Sequence, residues 1–275
     1  MNSSESTLPD YKKPPVVEVA FSLQFEPLRK LRTPHIGLLW NEYREQGLVT
    51  VQEQPPLNQY FELFGEEVLH PRIEISKIPT IPRCWFVNED NSELVQVQED
   101  RFVHNWRRLT FKQPYIRYST IKEKFIKDLE KFQKFLHENY LGDLYPNQCE
   151  LTYVNQIPKN EIFKNANQLR NVLGICDVKY SDPFLKDIEK IDLNAQYVMS
   201  DIEDKPIGRL HMTAKSSKLI DQKEGMQLML VARGRPKDTT REKLLEFFDV
   251  GHEWIVRGFT SITTKEMHEI WGRFK

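Results

Sequence analysis

Alternation of apolar and polar residues constrains this chain more than any other feature. In VVEVAFSLQF, Val17, Val19, Phe21, Leu23 and Phe25 alternate with Glu18, Ala20, Ser22 and Gln24, the period of a half-buried strand. The same period returns in LVQVQ (94–98), RFVHNWRR (101–108) and ELTYVNQI (150–157), with further strand candidates at Ile191–Met199, Ile207–Ala214 and Met226–Ala232. Runs around Tyr60–Phe64, Arg72–Ile78 and Cys84–Val87, separated by Pro71, Pro79 and Pro82, read as short or edge strands, because proline has no N–H to give to a ladder. The turn material NEDNS (88–92) and the Glu99-Asp100 pair predict a meander of antiparallel strands.

Helical periods interrupt this pattern at four places. Thr33 as cap and Pro34 as first helical residue open a segment with Ile36, Leu39, Trp40 and Tyr43 at helical spacing, ended by Gly47. The capping box Thr120–Glu123 opens the clearest helix, with Ile121, Phe125, Leu129, Phe132, Leu136 and Tyr140 on one stripe and Gly142 as its close. Further boxes at Thr239–Glu242 and Thr263–Glu266 open two terminal helices. Runs of strands followed by helices predict an α+β fold with antiparallel sheet covered by helices, not a doubly wound parallel sheet. The element order admits two related halves, 16–145 and 148–275, within a single unit 16–275 that follows a flexible lead-in over residues 1–15.

Composition narrows the function classes. The 39 Lys and Arg against 40 Asp and Glu leave a net charge of −1, so no global field recruits nucleic acid or anionic lipid and any such binding is local. With 16 Phe, 10 Tyr and 5 Trp the chain is far from disordered composition. The longest apolar run, Leu228–Ala232, is much shorter than the roughly 20 residues of a membrane span, so no membrane association is expected. The first residues lack the pattern of a secretory signal, and cytoplasmic residence is the expectation. Cys84, Cys149 and Cys176 are too few and too scattered for a disulfide framework or a cysteine-rich zinc site, and are expected reduced and mostly buried. The 11 glycines are nowhere closer than seven residues apart. Phosphate-cradling loops need clustered glycines for tight turns and close backbone approach, so Walker, Rossmann and kinase loops are absent, as is a GxSxG elbow.

Two clusters remain as ligand-binding candidates. The first is Arg101, His104, Asn105, Trp106 and Arg107 on a strand, where Arg101, Asn105 and Arg107 share one face and His104 and Trp106 the other. Arginine forks suit phosphates and carboxylates, and a tryptophan stacks on bases. The bland alternative is a cross-strand ladder with nearby acids such as Glu99 and Asp100. The second is Arg233, Arg235 and Arg241, with Lys237, where a strand meets a helix N-terminus and cations favour an anion; the alternative is a solvated tip. His252-Glu253 begins like a zincin helix, but position 256 is Val, so a packed histidine is expected and no metal site. Asp177-Val178-Lys179 resembles half of a metal-dependent nuclease site whose second carboxylate is missing. Lys124, Lys127, Lys131 and Lys134 read as a salt-bridged solvent face.

The segments PPVVEVAFSLQFEPL (14–28), LVQVQEDRFVHNWRR (94–108), ELTYVNQI (150–157) and HEWIVRGFTSITTKEMHEIWGR (252–273) together resemble a sporadically distributed, uncharacterised prokaryotic protein family of about this length. The resemblance implies a prokaryotic cytoplasmic protein, sometimes encoded with mobile or host-defence genes, and brings no catalytic residues with it. The expected function is a non-enzymatic protein-binding or accessory module with a protein partner or a second copy and no cofactor. The alternative is a nucleotide- or nucleic-acid-binding protein or enzyme that uses the two arginine clusters.

Overall fold

The computed structural model describes residues 8–65, 81–176, 184 and 188–275. Its centre is a nine-stranded sheet in the order β2-β3-β4-β5-β1-β6-β9-β8-β7, with every pairing antiparallel. The strands are β1 Val16–Phe25, β2 Thr50–Gln54, β3 Arg83–Val87, β4 Glu93–Gln98, β5 Arg101–Arg107, β6 Pro146–Pro158, β7 Asp192–Ser200, β8 Pro206–Lys218 and β9 Glu224–Gly234. Helices α1 Thr33–Arg44, α2 Tyr118–Glu138, α3 Arg241–Ile262 and α4 Lys265–Ile270 complete the α+β architecture, with one 3-10 turn at Ala166–Asn171. Apart from β2, which has no counterpart, the order is symmetric about the β1–β6 pair: β5, β4 and β3 on one side correspond to β9, β8 and β7 on the other.

The apolar face of the central strands meets α2 and α3. Phe21 of β1 stacks on Phe125 of α2 at 5.1 Å between centroids and lies 5.1 Å from Phe248 of α3, while Phe102 of β5 stacks on Phe132 at 5.2 Å. Gly251 of α3 sits directly over Ala232 of β9, where a Cβ would come within 3.2 Å of the alanine methyl, so α3 approaches the sheet closely here. The stripe Ile121, Phe125, Leu129, Phe132 and Leu136 is buried as its period predicts, but Tyr140 lies beyond the helix in a positive-φ turn and is exposed.

Several boundaries differ from the sequence expectations. The helix N-caps are Arg32, Arg117, Thr240 and Thr264, not Thr33, Thr120, Thr239 and Thr263. Adjacent threonines make the register of a capping box ambiguous by one residue, and the hydroxyls that bond the helix are those of Thr240, to Lys243 N, and Thr264, to Met267 N. β2 carries only Val51 as an apolar residue and was not legible as a strand, whereas Tyr60–Phe64 forms no strand at all. The candidate strand 72–78 and Asp177-Val178-Lys179 lie outside the described residues. Residues 8–15, expected within the flexible lead-in, are held by the C-terminus: Lys12 N donates to Gly272 O, Phe274 N to Asp10 O, and Tyr11 is buried against Phe259 and Trp271.

Candidate functional site

The sheet face opposite α2 and α3 is unusually polar. Its strands present Arg83 and Trp85 from β3, Gln96 and Gln98 from β4, and Arg101, Asn105 and Arg107 from β5. Glu18, Ser22 and Gln24 of β1 and Gln148 and Glu150 of β6 follow. Arg233 of β9 and Arg209 and His211 of β8 end the series. Alternation places each of them, because the intervening residues face the core. β1 is not half-buried as its pattern suggests: Ser22 and Gln24 are buried as well as the apolar Phe21, Leu23 and Phe25.

Residues 57–64 cross this face and explain part of that cover. Leu57 exchanges two hydrogen bonds with the side chain of Gln98, donating its N–H to Oε1 at 2.9 Å and accepting from Nε2 at 2.8 Å. Tyr60 N donates to Gln24 Oε1 at 2.9 Å, and Arg101 donates to the same oxygen at 2.8 Å and to Asn58 O at 3.0 Å. The segment ends by setting Glu62, whose side chain is 2% exposed, among three cationic or potentially cationic groups: Arg209 at 2.6 Å, His211 at 2.6 Å and Arg233 at 3.5 Å. Tyr60 and Phe64 lie under the guanidinium groups of Arg233 and Arg209. Tyr60–Phe64 thus looks like a strand in sequence but behaves as a strap, its backbone paired with side-chain amides and not with a neighbouring strand.

Electrostatics favour this arrangement. Burial alone would raise the Glu62 carboxyl, but hydrogen bonds from His211 and Arg209 and the charge of Arg233 outweigh it and hold the group below the ordinary glutamate value. Arg233 also donates from Nε to Glu150 at 2.5 Å. Arg101, 8% exposed, is pulled down by burial and by repulsion from Arg233 while Glu150 and Asp100 support its charge. Among the described residues, several donors and one acceptor on this face have no hydrogen-bond partner: Arg83 Nε, Trp85 Nε1, Arg101 Nε and both amide atoms of Gln148, a side chain in a residue 2% exposed. A buried polar atom left unpaired costs about 1–3 kcal/mol, so this face favours any group that brings hydrogen-bond partners to it.

The structure divides the sequence candidates. Arg101 and Arg233 come to one face and feel each other's charge, although they stand in separate clusters of the sequence. Asn105 and Arg107 occupy the far end of that face, tied to Glu18, with Arg107 also over the Trp85 ring. His104 and Trp106 point to the other side: His104 bonds Asp128 at 2.7 Å, and Trp106, 4% exposed, packs edge-on to Tyr115. Trp106 is therefore closed to base stacking. Arg235 is exposed past the end of β9 and Arg241 pairs with Glu130 of α2, so the 233–241 cations do not converge on the N-terminus of α3. Sequence reasoning missed Glu62, Arg209, His211 and Gln148, which carry no motif and meet only through the strand order.

His252 is held by Tyr153 Oη at 3.2 Å and stacked on Tyr118 with centroids 3.9 Å apart. Among the described residues no group of three or more His, Cys, Asp or Glu is placed to hold a metal ion, and no helix is long and apolar enough to cross a membrane. Lys124 pairs with Glu93 and Lys134 with Glu138. The chain is an α+β protein built on one antiparallel sheet with a strapped polar face. No protein-family model matches it, and a search of curated proteins finds no match.

Proposed function

We propose that the chain is a non-enzymatic binding protein whose polar sheet face takes a phosphate-bearing ligand, a nucleotide or a stretch of nucleic acid. The observation that carries this reading is the convergence of Arg101 and Arg233 on one face, with the carboxylate of Glu62 already seated among Arg209, His211 and Arg233 and the nearby Gln148 amide without a partner among the described residues. A cradle that holds an internal carboxylate suits an external anion of similar geometry, which would displace Glu62 and lift the strap. The ionisable groups are poor catalysts: burial raises Tyr153 and Tyr118, lifts Cys84 to about 11 and keeps His252 neutral.

Titration of the full chain with a labelled single-stranded oligonucleotide and with ATP, at low and moderate salt, tests it. Glu62→Gln removes the internal competitor and is expected to tighten binding several-fold, whereas Arg101→Gln and Arg233→Gln weaken it about tenfold or more and flatten its salt dependence. No binding of either probe by any form, or binding indifferent to both arginines, overturns the reading.

A protein partner is the second reading, favoured by a recess of about 340 Å³ lined by Tyr197, Leu210, Trp254 and Ile262 beside the edge strand β7, on which Val198 is 50% exposed. Native mass spectrometry of the protein from its own host is expected to retain a second copy or another polypeptide if this surface is used, and Val198→Lys to release it. The strand order, symmetric once β2 is set aside, with α2 after β5 and α3 after β9, supports descent of 16–145 and 148–275 from one duplicated unit. Membership of the prokaryotic family that the chain resembles belongs to the same proposal, as do the cytoplasmic setting and the link to mobile or host-defence genes. Three of the four resembling segments fall on the adjacent strands β4, β5, β1 and β6.

A further inference from the structure

A second cavity, of about 340 Å³, lies on the helical side of the sheet between α2, α3 and residues 8–14, within the usual size range of small-molecule sites. Its floor is Tyr153 and Asn155 of β6 with Leu230 of β9, its walls include His252 and Phe259 of α3, and Tyr11 lies over it. It shares no residue with the strapped face.

The polar atoms that reach this cavity form a small, specific set. Tyr115 Oη and Tyr153 Oη are 3.4 Å apart, and Tyr153 Oη lies 3.2 Å from His252 Nδ1. Burial pushes the His252 imidazole down to about 4, so it is neutral near pH 7 and carries one proton. When the Tyr153 hydroxyl donates to Nδ1, that proton sits on Nε2, which has no hydrogen-bond partner among the described residues. Asn155, 2% exposed, donates through Nδ2 to Leu228 O at 3.2 Å, and its Oδ1 accepts from no described group. In that tautomer the cavity presents the imidazole N–H as a donor and the asparagine oxygen as an acceptor between apolar and aromatic walls. The charged residues that line it, Asp10 and Arg117, paired at 2.5 Å, and the exposed Lys275, lie at the rim.

We infer that this cavity is a binding site for a neutral heteroaromatic molecule of the lactam type, which carries a ring N–H and a carbonyl oxygen side by side. The N–H donates to Asn155 Oδ1 and the carbonyl accepts from His252 Nε2, while the ring fills the apolar space below Tyr11. An anion or a cation is excluded, because no buried counter-charge awaits it.

The test is calorimetric titration of the full chain with quinolin-2-one, quinoline and naphthalene-2-carboxylate, with binding mapped by amide chemical shifts. Quinolin-2-one is expected to bind saturably, quinoline about tenfold more weakly because it cannot donate, and the carboxylate not at all. Val256→Trp, at a half-buried position lining the cavity on α3, fills the space and is expected to abolish binding. Asn155→Leu keeps the shape and removes the acceptor, so it is expected to erase the preference for quinolin-2-one over quinoline and serves as the second variant if the tryptophan disturbs folding. Absence of saturable quinolin-2-one binding, or binding that neither substitution changes, overturns the assignment.

Discussion

Phe21→Ala is expected to remove about 3–5 kcal/mol of folding free energy, as full truncation of a core phenylalanine does. Phe21 is 0% exposed on the central strand and touches both long helices: Tyr118 and Phe125 of α2 at 5.5 and 5.1 Å and Phe248 of α3 at 5.1 Å. Truncation loses the transfer free energy of the ring, opens a cavity where three aromatic rings meet, and frees α2 from α3 over the β1–β6 seam. Against a typical total of about 5–15 kcal/mol, this is a large part of the stability. Urea titration followed by circular dichroism measures it as a fall in midpoint at constant slope. Phe21→Leu, which leaves most of the volume filled, should cost markedly less; a loss under about 1 kcal/mol for the alanine variant would show that the aromatic cluster does not hold the halves together.

Acid should weaken the fold well above the range where carboxylates titrate, and His252 is the main reason. Burial lowers its pKa to about 4, with Asp249 opposing and Lys122 assisting the shift, whereas an unfolded histidine titrates near 6.5. The unfolded chain therefore binds the proton first as pH falls. Stability is full above about pH 6.5 and drops between there and about pH 4, by on the order of 3 kcal/mol for a shift of this size at 1.36 kcal/mol per unit. His268, also lowered by burial and by Arg273, adds in the same direction. Glu62, held below its ordinary value, contributes only lower down, where stability present above the usual glutamate range is lost as pH falls through its folded value. Urea midpoints at pH 7, 6 and 5 for the wild type and His252→Gln separate these groups: the variant is expected to show a clearly shallower loss between pH 7 and 5. Parallel profiles would mean that His252 is solvated or already charged in the fold.

Much of the framework was legible because it follows from local periods. Period-two alternation marked β1, β4, β5 and β6 and assigned the faces of Arg101, Asn105, Arg107, His104 and Trp106, and the stripe of α2 followed from helical spacing. Alternation also carried the information that His104 and Trp106 face away from the arginines; which of the two faces meets the helices it leaves open. β2 escaped notice because an edge strand with exposed sides needs no apolar rhythm, and Thr50–Gln54 has almost none. Tyr60–Phe64 misled for the converse reason: its aromatics pack under guanidinium groups instead of entering a sheet.

What the amino-acid order determines by itself is most of the strands and helices, the face each side chain takes on its own element, and the absence of clustered-glycine phosphate loops, all of which depend on neighbours within a few residues. Which distant elements lie side by side was decided only in three dimensions. Arg101 and Arg233 share a face because β1 and β6 pair between β5 and β9, and Glu62 reaches Arg209 and His211 because a strap from the first half crosses onto the second. The physical reason is that strand order and strap position follow from burying every apolar face at once, a sum over the whole chain that no single segment contains.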